Sequence, residues 1–106
     1  MFAEILLLPL IKQAAEKRTT RSWELSIRNA MRHIARVNKR PKSRGTHLDE
    51  SELRAVFTDT YQPALERAAL EAFEGRYDDV ELGQKVDRET IEQQAVALIL
   101  AHQEGQ

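Results

Sequence analysis

Residues 53–73 read LRAVFTDTYQPALERAALEAF, and this stretch decides the fold class. Leu53, Phe57, Tyr61, Leu65, Ala68 and Ala72 follow at steps of four and three residues, the period of a helix with one apolar face. Leu70 and Phe73 widen the stripe. Pro63 lies inside it, and a proline in a helix interior removes a hydrogen bond at a cost of about 3 kcal/mol. Because the stripe keeps its phase across Pro63, one long helix kinked at that residue is preferred to two. A break at residues 58–60, with threonine hydroxyls as caps, is the rival. Asp49 with Glu52 three residues later reads as a capping box that opens the helix, and Gly75 as its stop.

Toward the N-terminus, Trp23, Ile27, Ala30, Ile34 and Val37 form a second stripe at alternating spacings of four and three. Thr19, Thr20 and Ser22 offer N-cap oxygens for it. Pro41 ends it near residues 38–40, because the residue before proline avoids helical geometry. A first helix is expected over residues 10–17, with Pro9 in its first turn, where a missing N–H costs nothing. A kinked helix from Phe2 is the alternative. Residues 5–11 leave no polar face, so this piece must be buried on most sides. Only Glu4 precedes that run and Pro9 interrupts it; it reads as core or interface rather than a targeting signal, and it is far short of the ~20 apolar residues of a membrane span.

Toward the C-terminus, residues 76–86 read as an acidic connector. Asp87 then caps a last helix whose inner face carries Ile91, Ala95, Leu98, Ile99 and His102. Residues 95–101 are apolar all round, like residues 5–11. The two runs are expected to pack on each other or against a second chain, with Leu6, Leu7, Leu98, Ile99 and Leu100 as interface candidates. The whole is expected to be one all-α domain over residues 1–106, a small bundle of about four helices with more than ~60% of residues helical, against a globular average of ~30–35%.

Net charge is only −1, which conceals a segregation. Between Lys12 and Arg44 there are eleven Lys/Arg against two acids, a balance of +9. From Thr46 onward there are fourteen Asp/Glu against five Lys/Arg, a balance of −9. Such asymmetry points to an acidic partner for the basic part, nucleic acid or protein, or to self-complementation within or between chains. Arg21, Arg28, Arg32, Arg36 and Arg40 share one side of the second helix, and Lys39, Lys42 and Arg44 continue the charge into a Pro- and Gly-containing loop. Guanidinium forks suit phosphate and carboxylate alike. The bland alternative is a solvated face whose arginine stems cover apolar surface.

Other chemistry finds little footing. There is no cysteine, which removes disulfides, thiolate catalysis and thiolate metal sites. His33, His47 and His102 are not spaced as a local helical metal pair. Asp78, Asp79 and Glu81 lack the spacing of a calcium loop and read as a solvated cluster. Ser22, Ser26, Ser43 and Ser51 lack the setting of a nucleophile elbow. No cofactor and no small-molecule substrate is implied. Trp23, Phe57, Tyr61 and Phe73 lie on apolar stripes and read as core.

The stretch LRAVFTDTYQPALERAALEAF resembles helical segments in the N-terminal part of phage minor head proteins of the MuF type, which also run Leu, aromatic, Tyr, Ala, Ala at helical spacing. It covers about a fifth of the chain. The resemblance implies a virion-assembly component near packaged DNA, and no catalytic residue. The expectation is therefore a non-catalytic adaptor or assembly protein that acts through protein contacts and self-associates, cytoplasmic or associated with a virion. A sequence-nonspecific nucleic-acid binder using the 21–44 segment is the alternative, and a small enzyme with a composite site is a distant third.

Overall fold

The computed structural model describes residues 2–38 and 50–104, with the side chains of residues 2, 35–38, 103 and 104 left aside. The elements run α1 (Phe2–Glu16), α2 (Arg21–Asn38), α3 (Glu50–Glu71), a 3₁₀ turn (Ala72–Gly75), α4 (Asp79–Gly83) and α5 (Arg88–Glu104). There is no strand among the described residues, and the fold is the expected small all-α bundle.

The first helix departs from the expectation. It starts at Phe2 and carries Pro9 in its interior rather than in its first turn. Burial explains why the proline is tolerated. Leu6, Leu7, Leu10 and Ile11 are essentially inaccessible, and each such side chain contributes roughly 1.5–3 kcal/mol. Together they outweigh the cost of about 3 kcal/mol for an interior proline. The helix packs against α2, α3, α5 and the 3₁₀ turn, so its lack of a polar face is matched by neighbours on most sides.

Thr20 caps α2 as its position suggested. Its Oγ1 accepts from the Trp23 N–H at 3.0 Å, and its carbonyl accepts from the Glu24 N–H at 3.0 Å. Ala30 and Ile34 of the predicted stripe are buried, while Ile27 and Trp23 are half-buried. Lys12 and Arg18 both stand over the Trp23 ring, at 5.4 and 5.0 Å from its centroid. The proposed capping residue Asp49 lies outside the described residues.

Helix α3 is continuous through Pro63, as the phase of its stripe required. Pro63 is exposed, so water reaches the ladder where the proline interrupts it. One turn earlier, the Thr60 hydroxyl donates to the Val56 carbonyl at 2.7 Å, a back-bond that bends helices. Leu53, Phe57, Tyr61, Leu65, Ala68 and Ala72 are all buried. Leu70, which the pattern assigned to the widened stripe, is instead 78% exposed.

The apolar run in α5 packs on α1, α2 and α3. Leu6, Leu7 and Ile99 are fully buried in this chain's own core, with Leu98 and Leu100 half-buried against it. Of the two arrangements expected, the runs thus have the first, packing on each other: Leu6, Leu7 and Ile99 have no area left to offer a second chain, while Leu98 and Leu100 keep part of theirs. Asp87 opens α5, its carbonyl accepting from the Ile91 N–H at 3.1 Å and its carboxylate from the Thr90 hydroxyl at 2.7 Å. The Thr90 hydroxyl first, with the Thr90 and Glu89 backbone N–H groups, holds the Asp87 carboxyl below its ordinary range against the opposing effect of burial.

Pro63→Ala restores a backbone donor to a helix that is already continuous. We expect thermal unfolding of this variant to show an unchanged or raised midpoint, with a gain of up to ~3 kcal/mol; a clear loss of stability would contradict the single-helix geometry.

Candidate nucleic-acid or acidic-partner interface

Helix α2 is the strongly amphipathic helix of the chain. Its inner stripe is anchored on α1 and α5, which leaves the other side to solvent. Arg21, Leu25, Arg28 and Arg32 follow at spacings of four, three and four, so they share one ridge. All four are exposed, Leu25 by 45%. The sequence pattern had picked out the arginines and passed over the leucine among them. Of the other candidates, Arg36 belongs to the α2 backbone but its side chain is not described, and Lys39, Arg40, Lys42 and Arg44 lie outside the described residues.

The ridge does not meet the acidic part of its own chain among the described residues. Among the described residues, Arg21 and Arg28 have no ion-pair or hydrogen-bond partner, and the Arg32 guanidinium donates to the neutral Asn29 side chain at 3.4 Å. The described ion pairs lie elsewhere. Lys12 joins Glu71 at 2.6 Å, Arg67 joins Glu4 at 3.1 Å, Arg18 joins Glu16 at 2.8 Å and Arg88 joins Glu92 at 2.6 Å. Of these pairs only Lys12–Glu71 links the basic segment to the acidic one. Beside the ridge, Ile27 and Met31 floor a groove of about 350 Å³, with Glu24 at its rim and His102 of α5 closing it.

Asp78 and Glu81 are exposed, as expected of a solvated acidic cluster, and they also serve the local structure. Asp78 caps α4: its Oδ1 accepts from the Glu81 N–H at 2.8 Å, while Glu81 Oε1 accepts from the Asp78 N–H at 3.1 Å. This reciprocal pair is a capping box, and it turns the predicted connector into a short helix. Asp79 accepts from the Gln62 amide of α3 at 2.9 Å. Among the described residues, no group of three or more His, Asp or Glu side chains is placed to hold a metal ion.

Between α3 and α4 the backbone makes an unusual left-handed turn. Phe73, Glu74 and Gly75 have φ of 52°, 58° and 76°. At Gly75 a Cβ would also stand 3.2 Å from the Leu70 carbonyl oxygen, so glycine is required there. For Phe73 and Glu74 the conformation costs roughly 1–2 kcal/mol each. Three contacts hold it. Glu16, at the end of α1, accepts the Phe73 N–H at 2.9 Å; the Phe73 ring meets Tyr77 edge-on at 5.3 Å; and the Lys85 ammonium lies 4.4 Å from the Tyr77 centroid. The bond from the Phe73 N–H, with Arg18 and Lys12 nearby, holds the Glu16 carboxyl below the usual range against the opposing effect of burial.

A polar clamp joins α3 to α5. Thr58 Oγ1 donates to Glu92 Oε1 at 2.8 Å, Arg88 Nε donates to Glu92 Oε2 at 2.6 Å, and Arg88 also donates to the Thr58 carbonyl at 2.9 Å. The Arg88 guanidinium covers the Tyr61 ring at 4.7 Å. The Tyr61 hydroxyl is buried without a hydrogen-bond partner, and burial, more than its charged neighbours, pushes its pKa up to about 12. It adjoins none of the described grooves and serves the packing of α3.

No family model matches the chain, and neither a characterised protein nor a solved structure matches it. No helix among the described residues is long and apolar enough to cross a membrane.

Two measurements follow from these side chains. Tyr61→Phe removes a buried hydroxyl that has no partner, so the folded state should be unchanged or stabilised, since such a group costs ~1–3 kcal/mol; a loss above that size would mean the hydroxyl is bonded. For Glu16, a depressed folded pKa gives stability that is present above the ordinary carboxylate range and is lost as pH falls through the lowered value. Glu16→Gln should therefore lower the midpoint at pH 7 and narrow the gap to wild type on acidification. A gap that stays constant down to strongly acidic pH would contradict this assignment.

Proposed function

We propose that this chain is a non-catalytic helical binding module that works through protein contacts, with the outer ridge of α2 meeting an acidic protein surface. One observation carries the reading: Arg21 and Arg28 are exposed and unpaired among the described residues, although the same chain is rich in carboxylates. A ridge that served only to complement its own fold would be paired within it. The exposed Leu25 within the ridge, and Ile27 and Met31 in the groove beside it, favour a protein over nucleic acid. Apolar area contributes to a protein contact core, whereas phosphate neutralisation draws on charge alone. A virion-assembly role, as the resemblance of residues 53–73 implies, is one setting for such a module.

Capture with tagged full-length protein from the cells that make it, with nuclease added, tests the reading. Arg21→Gln, Arg28→Gln and Arg32→Gln combined should leave stability within about 0.5 kcal/mol of wild type, because exposed positions without partners carry little folding energy. Acidic proteins captured by the wild type should be lost from this variant. Material that disappears on nuclease treatment alone would overturn the proposal in favour of nucleic acid. In that case random duplex DNA should bind, and its log–log salt slope should flatten by roughly 0.9 for each phosphate contact removed.

A further inference from the structure

Among the described residues, the exposed large apolar side chains are Ile5 on α1, Leu25 on α2, Leu70 on α3 and Val80 on α4, and the surroundings of Leu25 and of Leu70 differ in charge. Leu25 stands between Arg21 and Arg28 on α2. Leu70, the most exposed large apolar residue at 78%, stands on α3 beside a concave surface of about 490 Å³. That groove lies between the end of α3 and α4. Glu66, Asp78, Asp79 and Glu81 line it, with Arg76 as the one basic residue among its lining and Ala69 and Gly75 as its small residues. Val80 of α4, 65% exposed, adds a second apolar side chain on this part of the molecule. The capping and amide bonds of the acids leave each carboxylate its charge and further lone pairs.

The two surfaces are opposite in sign, and each carries an exposed leucine. One is a helix ridge with guanidinium groups about Leu25; the other is a groove with carboxylates beside Leu70. Within one chain they do not meet, since α2 packs on α1 and α5 whereas the groove belongs to α3, the left-handed turn and α4. Resting on the binding-module reading above, we propose that the acidic surface recognised by the α2 ridge is this groove on a second copy of the chain. Leu25 then meets Leu70, and Arg28 and Arg32 face Glu66, Asp79 and Glu81.

Such a contact joins unlike patches, so every copy retains a free ridge or a free groove until the assembly closes. It forms a ring or an open chain of copies rather than stopping at one pair, unless a two-fold arrangement uses both contacts at once. The left-handed turn shapes the groove, because Gly75, Arg76 and Tyr77 form one of its walls.

The test uses two variants of the full chain. Arg28→Ala with Arg32→Ala disables the ridge and leaves the groove, without creating an acidic surface that the Lys variant of the groove could pair with. Glu66→Lys with Leu70→Lys disables the groove and leaves the ridge. All four positions are exposed, and Glu66 has only a 3.3 Å bond from Gln62 to lose, so circular dichroism should show both folds intact. Should either fail to fold, the Gln substitutions at the same positions replace it. Sedimentation velocity is run at about 10 mM salt, where charges act over ~30 Å, and at about 1 M, where they act over ~3 Å. Wild type should associate at low salt and separate at high salt. Each variant alone should associate about tenfold or more weakly, and an equimolar mixture should form a 1:1 dimer that grows no further, joined by the intact ridge of one and the intact groove of the other. A wild type that stays monomeric at low salt, variants that associate as wild type does, or a mixture that stays monomeric would each overturn the proposal. If it fails while capture of another acidic protein still depends on α2, the binding-module reading stands and only the identity of the partner is wrong. If both fail, the ridge has no protein partner.

Discussion

Everything else in this fold depends on the burial of α1. A helix with Leu6, Leu7, Leu10 and Ile11 at its centre must bury most of its surface, and the structure covers it on most sides with α2, α3, α5 and the 3₁₀ turn, leaving Ile5 partly exposed. That requirement fixes which surfaces remain free. Because α2 spends its apolar stripe on α1 and α5, its arginines face outward. Because α3 spends its stripe on α1 and α5, Leu70 and Glu66 on its other side face outward too. The two exposed surfaces of opposite charge are the outer sides of two helices that bury the same central one.

The parts of the fold that could be read from sequence are those where periodicity and capping agree. The α3 stripe, the Thr20 cap of α2 and the Asp87 start of α5 all rest on local chemistry, and the structure has them. Three features were not legible. Pro9 invited a helix start because a local rule favours it there; the burial that overrides the rule is tertiary. The capping role of the exposed Asp78 and Glu81 was hidden because their reciprocal bonds depend on a short helix that lacks an apolar repeat. The left-handed turn at residues 73–75 had only Gly75 to announce it, since Phe73 and Glu74 adopt positive φ against their own preference. Most of the ridge was legible as a charge pattern. Leu25 was not, because a lone leucine off the main stripe carries no periodic signal, and the groove was not, because its walls come from segments distant in sequence.

The charge segregation is not a device for stability. Exposed ion pairs contribute only ~0–1 kcal/mol each, and of those described only Lys12–Glu71 joins the basic segment to the acidic one. Pairing the α2 arginines within the chain would add little to the fold, and leaving them unpaired costs little. What separated charge does affect is encounter: opposite potentials on two surfaces raise association rates and select one orientation over others. A segregated chain with a net charge of −1 keeps strong local fields while carrying almost no overall repulsion between copies, a combination suited to self-assembly.

The same arithmetic bears on the turn that builds the groove. Phe73 and Glu74 are held in a conformation that costs roughly 1–2 kcal/mol each, and the folded state must recover that from contacts available only there. The Glu16 carboxylate supplies the most direct of them, a charge-assisted bond to the Phe73 N–H, a class worth about 1.5–3 kcal/mol when well formed. Cost and compensation are thus of similar size, so the turn is conditional on α1 being docked. Since α1 also orients α2, the ridge and the groove are set by the same helix: its apolar centre positions one surface and its C-terminal carboxylate holds the other.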